Sequence, residues 1–310
     1  MAILMSVSVF FESLLTILQY LNQASLNGWL YFFGERSFTG STLGIANAAI
    51  NGELVLRPYA TFSHSNVLSG YLLLCTVIIY FFQIRRTKGF IRWFGVSVLL
   101  LASIAILLSL SRVVIGLWLV LCFILVLYQV IIRLRSIHAI AFGLLITLGA
   151  VLISIASPLG QTLSARFIQT SFFEEALVQR SELIQTSLLL IQANPLIGVG
   201  LGNFIPSLAP LLKPLSIGLY LQPVHNIYLL LTTETGLIGL AGFVTFIVLT
   251  YHRLFEKIQT PLFRLDFFVF TLLLTLILII GFFDHYFVTL QQGQLLFSLI
   301  LGLCWTILIQ

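Results

Sequence analysis

Residues 91–132 form one nearly unbroken apolar tract of roughly 40 residues. As a single helix it would run about 60 Å, twice the hydrocarbon core of a bilayer, so the chain has to fold back within it. Its polar cluster is Ser109, Ser111 and Arg112, so the turn is expected there, with Ser111 placed to cap the next helix. A water-soluble fold is closed to this sequence. Only 8% of its 310 residues are charged and the mean hydropathy is +1.10, too little polarity to cover a surface. The expected class is an all-α, polytopic membrane protein.

A spanning helix needs about 20 mainly apolar residues. That rule marks eight spans, at 3–20, 67–84, 93–110, 113–132, 137–157, 227–250, 265–283 and 290–308, the first interrupted by Glu12. Basic residues gather in three short connections: Arg85, Arg86, Lys88 and Arg92; Arg133 and Arg135; Arg253, Lys257 and Arg264. Because Lys and Arg concentrate on the cytoplasmic side, these loops are expected inside and regions 21–66 and 158–226 outside. The whole chain, 1–310, reads as a single membrane domain with two outward loops. Its formal charge of +5 needs only anionic lipid as a partner and no nucleic acid. Cys75, Cys122 and Cys304 all fall in spans, which speaks against a disulfide framework, and "MAILMSVSVFFESLL" lacks the basic start of a cleavable signal.

The outward stretch 158–226 is too long for a mere connection. A capping box at Ser171–Glu174 and a stop at Asn194–Pro195 predict a helix inside it. On a helical projection Leu177, Arg180, Ile184, Leu188 and Ile191 share one sector, which would put Arg180 in the apolar stripe. "PLIGVGLGNF" follows, where Gly198, Gly200 and Gly202 permit positive φ and close backbone approach. A phosphate cradle and an irregular loop packed at the membrane surface both satisfy this pattern. Without a preceding strand it is no dinucleotide fingerprint.

Chemistry-bearing residues stand where spans meet the outer side. His225, between Pro223 and Asn226, opens a span, where the positive end of the helix dipole favours a neutral imidazole able to accept a proton. An interfacial histidine bonded to a loop carbonyl is the alternative. Arg112 and Arg180 on apolar faces need anionic partners: either acids of the chain, such as Glu182, Glu234 or Asp284, or a phosphorylated ligand held by guanidinium forks. Glu234 lies on the face of an unbroken helix opposite His225, and Gly236, Gly239 and Gly242 behind it suit close helix packing. Asp284 and His285 mark another outward helix end, as do His64 and Asn66. Metal binding by His64, His225 and His285 is discounted, because no pair has the close helical spacing of a metal motif.

"HNIYLLLTTETGLIGL", "NPLIGVGLGNF" after an arginine-bearing helix, "LSR" at a hairpin and "TFSHSNVLSGYL" occur in this order over residues 57–250. In these motifs the chain resembles the O-antigen ligase and Wzy-type polymerase superfamily of bacterial envelope glycosyltransferases. The resemblance implies a GT-C-like architecture in the cytoplasmic membrane, with the site facing the periplasm or cell exterior. It implies no cofactor and no metal, a glycan donor on undecaprenyl diphosphate, and a glycan, lipid or protein acceptor. Carried onto this sequence, Arg112 and Arg180 bind the donor diphosphate, and His225 deprotonates the acceptor hydroxyl for inverting transfer. His64, Asn66, Arg166, Asn226, Glu234, Asp284 and His285 are supporting candidates.

Relatives with ten or more spans make N-terminal helices the expected missing part, and serines in "TFSHSN" stand where relatives carry prolines. A lipid-linked glycan transporter, or an inactive truncated relative, is the competing reading. The outer-rim placement of the polar residues and the lack of an internal repeat favour the enzyme over the transporter.

Overall fold

A computed structural model of the protein describes residues 1–50, 53–132, 175–208, 222–256 and 264–309. The chain divides into two compact units, Met1–Thr170 and Ser171–Gln310. Helices cover the expected spans except 137–157, which lies outside the described residues. Among the described residues, four helices are long and apolar enough to cross a membrane: Ala2–Asn22, Ser65–Ile84, Gly89–Leu108 and Ile227–Glu256.

The first unit contains α1 (Ala2–Asn22), a 3-10 turn (Gly28–Phe33), a hairpin of β1 (Asn47–Ile50) and β2 (Glu53–Leu56), α2 (Ser65–Ile78, continued as a π-helical turn to Ile84), α3 (Gly89–Leu108) and α4 (Arg112–Ile132). The antiparallel hairpin pairs Ala48 with Val55, inside a region expected to be a plain outward loop. The apolar tract does fold back at Ser109–Ser111. Leu110 adopts φ 53°, and the amide of Ile115 bonds the carbonyl of Ser111, so Ser111 stands at the head of α4.

Glu12 is buried within apolar α1 because the segment Tyr59–Thr61 runs against that helix. Its carboxylate accepts from Thr61 Oγ1 at 2.7 Å and from the Thr61 amide at 3.2 Å. Two turns along α1, the Gln19 side-chain oxygen accepts from the amides of Tyr59 and Ala60 at 3.0 and 2.8 Å. Gln19 Nε2 donates in turn to the buried Glu35 carboxylate, which also accepts from the amides of Leu26 and Asn27. Non-helical backbone inside an apolar bundle must find partners in the protein. Here α1 supplies them from its side chains.

The second unit contains α5 (Glu175–Ala193), α6 (Phe204–Leu208), α7 (Ile227–Glu256), α8 (Arg264–Gly281), α9 (Tyr286–Thr289) and α10 (Gln291–Ile309). Helix α7 is broken rather than continuous: Gly236 adopts φ 68° and ψ −173°. The break frees carbonyls before it and amides after it, and the loop 195–200 takes both. Val199 and Gly200 donate their amides to the carbonyls of Thr233 and Glu234, each at 2.9 Å. Leu237 and Ile238 donate theirs to the carbonyls of Pro195 and Leu196, at 2.9 and 3.3 Å. Loop and helix cross so closely that a Cβ on Gly236 would lie 2.1 Å from the Leu196 oxygen, and one on Gly198 2.5 Å from the Glu234 carbonyl carbon. The glycines of both motifs therefore build one interlock.

The helix expected in the second loop is α5, but its packing face is not the projected one. The buried residues are Leu183, Ser187 and Leu190, while Ile184 and Leu188 are exposed, a rotation of roughly a quarter turn. Ser187 explains it: the small hydroxyl lets α5 approach α7 and bonds Thr233 Oγ1 at 2.6 Å. Where a large apolar side chain gains little by facing protein, small residues choose the contact face. The proposed capping box falls outside the described residues.

Placing Cβ atoms at the interlock should cost about 1–3 kcal/mol of strain and overpacking each. Gly236→Ala and Gly198→Ala are expected to unfold at clearly lower temperature in detergent than wild type. Gly242→Ala, whose Cβ meets nothing within 4 Å, should match wild type.

Candidate functional site

His225 is positioned by its neighbour. Asn226 is the N-terminal cap of α7: its side-chain oxygen accepts from the amides of Tyr228 and Leu229, both at 2.9 Å. Its Nδ2 donates to the Phe282 carbonyl at 3.2 Å, tying the start of α7 to the end of α8. Gly281 permits this approach, because a Cβ there would lie 2.5 Å from Ile227 Cδ1.

That junction brings His225 onto the segment after α8. His225 Nδ1 lies 3.6 Å from Asp284 Oδ1, and the rings of His225 and His285 are 5.1 Å apart. Asp284 and His285 are buried, and Asp284 Oδ1 also accepts the His285 amide at 2.8 Å. His225 Nδ1 is buried without a hydrogen-bond partner.

Thr289 Oγ1 holds the His285 ring, lying 2.7 Å from its Nδ1 and 3.1 Å from the His285 carbonyl oxygen. Burial lowers the His285 pKa to about 4; the Asp284 charge opposes that shift, while His225 and the Arg180 guanidinium add to it. His285 is thus neutral at pH 7, and Arg180, partly exposed on α5, is near enough for its charge to reach this cluster.

The other sequence candidates have structural partners. Glu234 accepts the Phe204 amide through Oε1 at 3.3 Å and so holds the start of α6 against the α7 break. It belongs to the interlock. His64 is the N-terminal cap of α2, its Nδ1 accepting from the Asn66 amide at 3.0 Å, and its ring meets Tyr59 edge-on. Arg112 opens α4 directly after the Ser109–Ser111 turn. Arg166 lies outside the described residues.

Sequence reasoning assigns Arg57 no role. It is buried, donates from Nε to the Ser109 carbonyl at 2.9 Å, and donates from Nη2 to Asn66 Oδ1. Ser65 Oγ donates to the same Ser109 carbonyl at 2.9 Å. Arg57 therefore joins the start of α2 to the turn that presents Arg112. The "RP" before an extended segment was the available signal, since a cation there has no helix end of its own to serve.

Charge-assisted hydrogen bonds contribute about 1.5–3 kcal/mol each. Arg57→Leu is expected to lower the unfolding temperature in detergent well below that of Arg36→Leu, whose guanidinium bonds the Ser63 carbonyl in an exposed position.

Residues 97–244 match the family model of the O-antigen ligases. The matched stretch holds Arg112, Arg180, His225 and the whole interlock, while Arg57, Asp284 and His285 lie outside it. No curated protein matches the chain.

Proposed function

We propose that this multi-pass membrane protein, whose residues 97–244 match the O-antigen ligase family model, is a glycosyltransferase of that family that moves a glycan from undecaprenyl diphosphate to an acceptor hydroxyl at the outer face of the cytoplasmic membrane. The observation that carries the reading is the placement of His225, within the matched stretch, against Asp284 with Arg180 close by.

With its proton on Nδ1, 3.6 Å from the Asp284 carboxylate and so within electrostatic reach though not hydrogen-bonded, His225 would present the Nε2 lone pair to the acceptor. Nε2 takes the hydroxyl proton, and the oxygen forms a bond to the anomeric carbon from the face opposite the leaving group. The bond from that carbon to the diphosphate oxygen breaks, and its electron pair stays on the diphosphate. Asp284 stabilises the imidazolium that forms, the role of an orienting acid in hydrolytic triads. Arg180 stabilises the charge gathering on the departing diphosphate. His285, kept neutral by burial and held by Thr289, borders the site without adding a charge. Arg112, in the other unit, enters this reading through the family resemblance alone, as a second donor-phosphate ligand.

The broken helix α7 supports a second reading, since discontinuous helices also build transporter sites. Both ends of the break are already paired with the loop 195–200, which argues against its use as a substrate site.

The test is transfer in membranes supplied with a mixed pool of undecaprenyl-diphosphate glycans and candidate acceptors. A general base contributes about 10²–10⁴-fold, so His225→Ala should lose at least about 100-fold of transfer while the protein stays in the membrane. Arg180→Ala and Arg112→Ala, as separate arms, should weaken capture of labelled lipid diphosphate as well as transfer. Full transfer by His225→Ala would remove it as the base. Binding of lipid diphosphate with no transfer by wild type would establish the carrier reading instead.

A further inference from the structure

We propose that His225, Asp284 and His285 together form a binding site for a divalent transition-metal cation of the zinc type, and that the cation switches transfer off by occupying the imidazole that acts as base. The second half rests on the glycosyltransferase reading above. The first does not.

The three side chains offer donor atoms that all lie within 4.8 Å of one another. Zinc takes nitrogen ligands at about 2.0–2.1 Å and carboxylate oxygens at about 2.0–2.2 Å, which in a tetrahedron puts neighbouring donors about 3.3 Å apart. The 3.6 Å between His225 Nδ1 and Asp284 Oδ1 is close to that, and too long for the hydrogen bond the pair would otherwise make. A cation between them would satisfy the buried Nδ1 that has no hydrogen-bond partner. His285 comes already held: a proton on Nδ1, 2.7 Å from Thr289 Oγ1, would make the outer hydrogen bond typical of a metal-bound histidine and leave Nε2 as the ligand.

Two imidazoles and one carboxylate select borderline ions such as Zn²⁺ over Mg²⁺ or Ca²⁺, which prefer oxygen shells. Three protein ligands leave a fourth position for water, and His225 is the most exposed of the three, so that position faces the open side of the cluster. Asp284 supplies one negative charge. The nearby Arg180 opposes the cation, so affinity should fall short of a structural zinc site. A cation on Nδ1 of His225 forces the proton to Nε2, which removes the lone pair that the acceptor hydroxyl needs. Inhibition then follows from tautomer choice and needs no conformational change.

The test uses the full chain purified in detergent, with Zn²⁺ alone as probe and no glycan present. Wild type should bind one Zn²⁺ per chain without competition from excess Mg²⁺. His225→Gln and His285→Gln should each bind more weakly by more than the roughly 10–100-fold that loss of an outer partner of a metal ligand costs. His252→Gln, a change at an exposed histidine elsewhere on α7, should bind as wild type does. Added Co²⁺ should give intense tetrahedral absorption bands in wild type, a readout that does not depend on any variant folding. Absence of both stoichiometric Zn²⁺ binding and the Co²⁺ bands would overturn the site, as would undiminished binding in a folded His285→Gln.

In the transfer assay, saturating Zn²⁺ should suppress wild-type activity and a chelator should restore it. Transfer that continues with Zn²⁺ bound would overturn the inhibition. If Zn²⁺ fails to bind while His225→Ala still abolishes transfer, only this inference falls. If Zn²⁺ binds but transfer is indifferent to His225, the catalytic reading falls and the metal site stands.

Discussion

The second unit depends on the pairing of a broken helix with the loop that crosses it. A break in a helix among apolar surroundings leaves amides and carbonyls that water cannot reach, and each unpaired group costs several kcal/mol in such a medium. Gly236 makes the break, and residues 195–200 repair it with four backbone hydrogen bonds in two directions. The repair works only because Gly198 and Gly236 let two backbones touch. Glu234 adds a carboxylate beside the break and fixes α6, so one acid in an apolar helix is accounted for by local pairing rather than by catalysis.

The first unit solves the same problem with side chains. The segment Tyr59–Thr61 is non-helical and lies against α1, where Gln19 and Glu12 receive its amides, while Arg57 and Ser65 take up the carbonyl that α3 releases at Ser109. Among the described residues, Glu12, Gln19, Glu35, Arg57 and Glu234 thus all answer a backbone demand. The cluster of His225, Asp284 and His285 is different, because it gathers two imidazoles and a carboxylate at one place and His225 Nδ1 is buried there without a hydrogen-bond partner. That contrast, together with the O-antigen ligase match, is why chemistry is assigned there and not at His64 or Glu234.

Much of the fold was legible because helix length and apolar composition are properties of the sequence itself. The reversal at Ser109–Ser111, the separate helix that became α5, and the helix starts at Ser65 and Ile227 all follow from spacing and capping residues. The break at Gly236 was not legible, since glycines three residues apart read equally well as a close-packing face, and only the partner loop reveals a positive φ. The projection of α5 weighed hydrophobicity and missed Ser187, whose small size decides the contact. His225 was found from its place at a helix start. Its neighbours Asp284 and His285 were named too, but nothing in a separation of about 60 residues says that α7 and α8 meet there. Helical spacing is blind to this grouping of His225, Asp284 and His285, which tertiary contact alone brings together. The β-hairpin had a signal, the Asn51–Gly52 dipeptide favoured in tight turns, which the weight of the apolar pattern obscured.

The central physical claim is that loop 195–200 and the break in α7 are one hydrogen-bonded structure in the membrane. Hydrogen exchange of individual amides in lipid nanodiscs tests it most directly. The account predicts that the non-helical amides of Val199 and Gly200, and those of Leu237 and Ile238 just past the break, exchange as slowly as amides within α7, and far more slowly than the exposed backbone at Leu201. Exchange of all four at the rate of Leu201 would mean the loop is not paired with the helix, and the account of both motifs would be wrong.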